Sequence, residues 1–332
     1  MRYRALAASM IAILVAGQVP AQAAEAESET CATPRFSDVG WTDISATTAI
    51  AGMILKSLGY TPKIDILSVA VAYEALPRGD VDVFLGNWMP LQDPIQRPLV
   101  EAGKIDVVQT NLEGAIIGLA VPKATYDAGL KTYADIAKFG DDLDLKIYGI
   151  EAGSSANETI SKMIAGDKFG LKDFQLVESS EQAMLAQVQR AVRSEKPIVF
   201  FGWRPHPMNM NIDMAYLTNG DDVFGPNDGA AEVLTNTRPG YVEECPNVGA
   251  FVKNFVFKVE QEDVLMSYIL DDGMTADAAG EKWLKENPGV IDGWLAGVTT
   301  RDGKPGADAV RQGLGILTAM RAHQGGSPYT RR

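Results

Sequence analysis

Histidine and cysteine are nearly missing from this chain: it has two of each. One histidine, His323, lies close to the C-terminus, which leaves His206 as the single internal imidazole. No His-Glu-x-x-His, Gly-x-Ser-x-Gly or Gly-x-x-x-x-Gly-Lys-Ser/Thr segment occurs, so zinc peptidase, serine hydrolase and P-loop chemistry lose their usual signatures. Nothing in the spacing of the acids and histidines points to a metal or a cofactor. Positive charge is also short. Thirty Lys and Arg stand against 43 Asp and Glu, a formal net charge of −13, which argues against nucleic acid and anionic membranes as partners. After the first two dozen residues no apolar run reaches membrane-spanning length.

The start of the chain is different. Met1-Arg2-Tyr3-Arg4 precedes a mostly apolar stretch over 5–19, and Ala21-Gln22-Ala23 follows. A basic start, a short apolar core and a small-residue exit describe a secretory signal peptide over 1–23, cleaved after Ala23. That places the protein in the periplasm. In an oxidising compartment the two cysteines, Cys31 and Cys245, read as a disulfide, with two free buried thiols as the alternative. Such a bridge would remove roughly 5 kcal/mol of denatured-state entropy in the simple chain model. It also implies that both ends of the chain belong to one lobe and that the middle makes an excursion.

Strand and helix signals alternate from residue 35 onward, the mark of an α/β sheet with helices on its faces. Strands are expected over 35–40, 63–69, 81–85, 105–109, 115–121, 146–150, 197–201 and 213–217. A helix is expected from Ser45, as its cap, to about Leu58, with Gly59 as the stop. Residues 219–231 read as an irregular loop. The expected organisation is a first lobe of 24–121 plus 213–332 and a second of 122–212. Trp283 and Trp294, beside Leu284 and Val290, read as packing groups.

Three other tryptophans share one local pattern. In Phe200-Phe201-Gly202-Trp203, Phe84-Leu85-Gly86-Asn87-Trp88 and Asp38-Val39-Gly40-Trp41, an apolar run meets glycine and, within two residues, tryptophan. A quaternary ammonium group has no N–H to donate, so hydrogen bonds cannot select it. Aromatic faces can, at roughly 0.5–2 kcal/mol per ring, with tryptophan the strongest. Trp41, Trp88 and Trp203 would make three walls of such a cage, and Asp43 would place a carboxylate beside the cation.

Those segments, with Trp203-Arg204-Pro205-His206-Pro207-Met208-Asn209 and Glu244-Cys245-Pro246-Asn247-Val248-Gly249, resemble the substrate-binding proteins of ABC importers for choline, glycine betaine and related compounds. The choline-binding branch is the most similar. The resemblance covers about residues 31–320. It implies a type II periplasmic binding protein, two lobes hinged around a ligand cleft, acting as a monomer with a permease and its ATPase, and no catalysis. It implies the pairing Cys31–Cys245, an aromatic box of Trp41, Trp88 and Trp203, and Asp43 as the acidic partner. Two positions depart from the choline binders: Ile117 stands where they carry tyrosine, and Ser154 where they carry asparagine. Arg204 adds a cation where they have glutamate. Arg204 or His206 would then hold a ligand carboxylate, and a betaine, carnitine or another methylated onium compound is expected ahead of choline. A secreted α/β hydrolase working through carboxylates, or a ligand-sensing domain, remains the alternative.

Overall fold

The computed structural model describes residues 27–316; the expected signal peptide and His323 lie outside the described residues. Nine strands form one strongly curved sheet. In chain order they are β1 (Arg35–Asp38), β2 (Lys63–Ile66), β3 (Val83–Met89), β4 (Asp106–Pro122), β5 (Lys146–Tyr148), β6 (Gln175–Val177), β7 (Phe200–Arg204), β8 (Met214–Tyr216) and β9 (Ala230–Thr237). Their spatial order is β2-β1-β3-β9-β4-β7-β5-β6, with β8 also pairing with β4.

The long strand β4 joins two lobes. Its first part pairs with β9 as far as Ile116↔Ala230, and its second part pairs with β7 from Ile116↔Arg204 to Ala120↔Phe200. Ile116 is thus the residue at which β4 changes partner, and both lobes share one backbone there. The sequence predicts two strands, 105–109 and 115–121, where one continuous strand is found. The polar stretch Gln109-Thr110-Asn111 interrupts the apolar pattern, yet it stays in the sheet through a bulged register with β9 and side-chain bonds. Asn111 Nδ2 donates to Leu85 O and to Thr235 Oγ1.

Two further differences concern the return of the chain. β9 is absent from the predicted strands, although Val233 and Leu234 are buried in it. Its residues Glu232, Thr235, Asn236 and Thr237 mask the apolar alternation, and the Asn, Asp and Gly run before it resembles a loop. The second concerns the segment before β9. β8 pairs with β4 at Ala120–Pro122, Thr218 bridges to Thr132, and Phe224 packs on Tyr133 and Phe201. The segment 213–229 thus packs against β4, Tyr133 and Phe201 before β9 begins.

Helix α1 (Thr42–Ser57) supports the first lobe from beneath the cleft. Ile50, Ile54, Leu55 and Leu58 are fully buried, each contributing about 1.5–3 kcal/mol of burial. The helix starts three residues earlier than Ser45, because Trp41 supplies the extended residue before it and Asp43 suits the positive end of the helix dipole. Ser45 instead donates its hydroxyl to Asp38. Gly59, at φ +92°, lets the chain turn after the helix. Trp283 and Trp294 stack at 6.0 Å in a core with Phe255 and Phe257, as packing groups. Cys31 and Cys245 are disulfide-bonded, with Cα atoms 5.6 Å apart. No helix among the described residues is long and apolar enough to cross a membrane.

Candidate functional site

Between the lobes lies a cavity lined largely by apolar and aromatic residues. Each lobe contributes walls to it. Trp41 and Asp43 come from the start of α1, Trp88 from β3, and Trp203 from β7. All four line the cavity, as does Ile117, which sits directly across from Trp203 in the β4–β7 register. The three tryptophans therefore meet although they stand 47 and 115 positions apart in the chain, as the residue numbers show. Strand-end glycines make this possible. A Cβ on Gly86 would fall 2.9 Å from the side chains of Ile44 and Phe84, so only a residue without one lets β3 lie this close to α1.

Two of the three indole N–H groups are tied down. Trp88 Nε1 donates to Asp43 Oδ2 at 2.9 Å, and Trp41 Nε1 donates to Glu151 Oε1 at 2.8 Å, across the cleft. Asp43 is 1% exposed, and its second oxygen, Oδ1, has no hydrogen-bond partner. A buried carboxylate with an unpaired oxygen is costly, so burial, with the negative field of Glu181, raises the Asp43 pKa to about 7. Burial raises the Glu151 carboxyl as well. Glu262, behind Asp43, is raised well above the ordinary carboxylate range by burial and then by Asp43 and Asp263. The site is thus a pocket short of positive charge: among its lining residues there is no Lys, Arg or His.

The remaining predicted site residues lie elsewhere. Ser154 is buried one position before the lining residues Ser155 and Ala156, and its hydroxyl caps the helix Ser155–Ala165 by accepting from Asn157 N–H. Arg204 points away toward the helix Val259–Leu270, where its guanidinium lies 3.5 Å from Asp263 and 3.7 Å from Glu260. His206 is 1% exposed behind the cage. Its ring meets the edge of Trp203 at 4.7 Å, and Nε2 lies 3.0 Å from Glu181 Oε1. Neither side chain lines the cavity. The lining also includes Phe201, Leu91, Gln92 and Ile150, which the sequence did not single out. Phe201 had a signal, since it lies two residues before Trp203 on the same face of β7 and stacks on it at 5.5 Å. Gln92 had none: its amide serves Tyr73 and the carbonyl of Gly86, contacts that arise from tertiary packing.

Comparison with known proteins places the chain in a family. Residues 33–286 match the OpuAC family, described as the substrate-binding domain of ABC-type glycine betaine transport systems. A solved ABC-transporter choline binding protein in complex with choline is 51% identical, covering 87% of this chain and all of that one, with a TM-score of 0.85. Lactococcal OpuAC, closed around glycine betaine, is 25% identical over 79% of this chain and 98% of its own, with a TM-score of 0.71. The glycine betaine/carnitine transport binding protein GbuC of Listeria monocytogenes is 30% identical over 49% of this chain and 53% of its own length. The fold is that of a type II periplasmic binding protein. Proteins of this kind are transport components rather than enzymes, and they work on the periplasmic or extracellular side of the membrane. The chain belongs to the OpuAC family of substrate-binding proteins of ABC importers for glycine betaine and related quaternary ammonium compounds.

Proposed function

We propose that the chain captures a small quaternary ammonium compound of the choline type, with Trp41, Trp88 and Trp203 as cage walls and Asp43 as counter-charge. The observation that carries this is the convergence on one cavity of three tryptophans and of Asp43, whose Oδ1 is unpaired, with no cation in the lining. A trimethylammonium head is held by the aromatic faces and by the carboxylate at short range. The hydroxyl of choline gives Asp43 Oδ1 the hydrogen bond it lacks.

This reading reverses the order of ligands expected from the sequence. A betaine or carnitine carboxylate would meet Asp43 with no cation in the lining to offset it, because Arg204 pairs with acids on another helix and His206 faces Glu181. Ile117 contributes apolar surface, and the Ser154 hydroxyl is spent on a helix cap. Titration calorimetry with choline, glycine betaine and carnitine tests the ranking. Choline should bind at least about tenfold more tightly, the equivalent of one charge-assisted hydrogen bond. Glycine betaine binding more tightly than choline would overturn it.

The protein further acts as a monomer in the periplasm after loss of residues 1–23, delivering its ligand to a permease and its ATPase. The first lobe comprises the chain up to the β4 crossing together with β9 and the segments after it. The second lobe is the excursion between the two crossings.

A further inference from the structure

Among the contacts that cross the cleft, two hydrogen bonds lie behind the cage, and a side chain of the second lobe links them. Glu181 begins a helix of the second lobe, Glu181–Arg193, and is 2% exposed. Its Oε2 accepts the backbone N–H of Thr42, the first residue of α1 in the first lobe, at 3.0 Å. Its Oε1 lies 3.0 Å from His206 Nε2. The His206 Nδ1 accepts the backbone N–H of Met208 at 2.9 Å, so that nitrogen carries no proton, and the neutral ring donates from Nε2 to Glu181. The same ring braces the edge of Trp203. One carboxylate therefore holds the end of α1 that carries Trp41 and Asp43, and through His206 the wall formed by Trp203. The other crossing bond, from His206 N–H to Asp263 Oδ1 at 2.8 Å, fastens the same loop to the first lobe.

We propose that Glu181 is a positioning residue that latches the lobes shut, setting how long the ligand is held rather than how fast it enters. It touches no cavity surface, since it is not among the lining residues. Its bond to Thr42 spans the cleft directly; its bond to His206 lies within the second lobe and fixes the loop that Asp263 of the first lobe anchors. In the open form the Thr42 N–H is one of the unpaired donors at a helix start and water replaces the carboxylate. Closure exchanges that water for a charge-assisted bond in a dry site. An amide at this position cannot replace both bonds. Its oxygen can accept from Thr42, but its NH2 then meets the His206 N–H, donor against donor.

This latch rests on the proposed ligand class only through its probe. Retention of radiolabelled choline on filters gives the dissociation rate, and calorimetry gives the affinity, for wild type, Glu181→Gln and Glu181→Ala. Dissociation should accelerate about tenfold or more in both variants, the worth of a charge-assisted bond. The association rate, obtained as the ratio, should stay within about twofold of wild type. An unchanged dissociation rate in Glu181→Gln overturns the latch. Should wild type bind no choline, the ligand reading fails by itself. The latch is then judged by ligand-free interlobe distances between spin labels at the exposed residues Val100 and Val192, each replaced by cysteine. Longer distances in Glu181→Gln support it, and distances identical to wild type overturn it.

Discussion

Asp43 and Trp203 do different work in the cleft, and each can be removed separately. Trp203→Ala deletes one wall and the dry surface behind it; the affinity for choline should fall by about 2 kcal/mol or more in a calorimetric titration, with the fold intact. Asp43 adds a pH dependence. Its folded pKa of about 7 lies above its ordinary 3.8, so the ligand-free folded protein holds a proton there that the unfolded chain releases at lower pH. This group therefore lowers the stability of the empty protein as pH rises from about 4 through about 7, with no further loss above that. A fixed cation favours the ionised form, so affinity for choline should rise with pH through about 7 and then level off. Asp43→Asn should bind more weakly at pH 8 and lose the slope, as titrations at pH 6, 7 and 8 would reveal. A flat wild-type profile would remove Asp43 from the role. Burial and the negative field of Glu181 keep Asp43 hard to ionise until a cation arrives.

Strands β4 and β9 carry the two lobes, and their junction is tight. Gly229 precedes β9 at φ +116°, and a Cβ there would lie 1.9 Å from the carbonyl oxygen of Ile117. Gly229→Ala should cost about 1–3 kcal/mol from the strained backbone alone, and more from the collision. It should lower the melting temperature and weaken choline binding together, since Ile117 is a cavity residue. A melting curve matching wild type would show that the crossing has slack. This junction was the part of the fold least legible in the sequence. β7, with its unbroken Ile198-Val199-Phe200-Phe201, announces itself, and so do the helix after Trp41 and the glycines before each tryptophan. β9 does not, because its polar residues are satisfied by tertiary partners such as Asn111 and Tyr73. The cage itself was readable from three repeats of one local pattern. The placement of Arg204 and His206 was not: each follows Trp203 within three residues, but a strand's alternation turns Arg204 to the opposite face, and the Pro205–Pro207 bend tucks His206 behind the cage.

At the scale of the whole molecule, the Cys31–Cys245 bond joins the start of the described chain to a helix after β9, 214 positions further on. Replacing both cysteines by serine should lower stability by about 2–5 kcal/mol in denaturant titrations. Because the bridge closes the first lobe on itself and leaves the cleft alone, choline affinity below the unfolding transition should be unchanged; a parallel loss of affinity would mean that the bridge shapes the cage. The division of the five tryptophans has another consequence. Trp283 and Trp294 sit stacked in a core away from the cleft, while Trp41, Trp88 and Trp203 all line the cavity. The chain thus carries its own optical gauge: two indoles emit a steady background, and three change colour and brightness as the cleft fills.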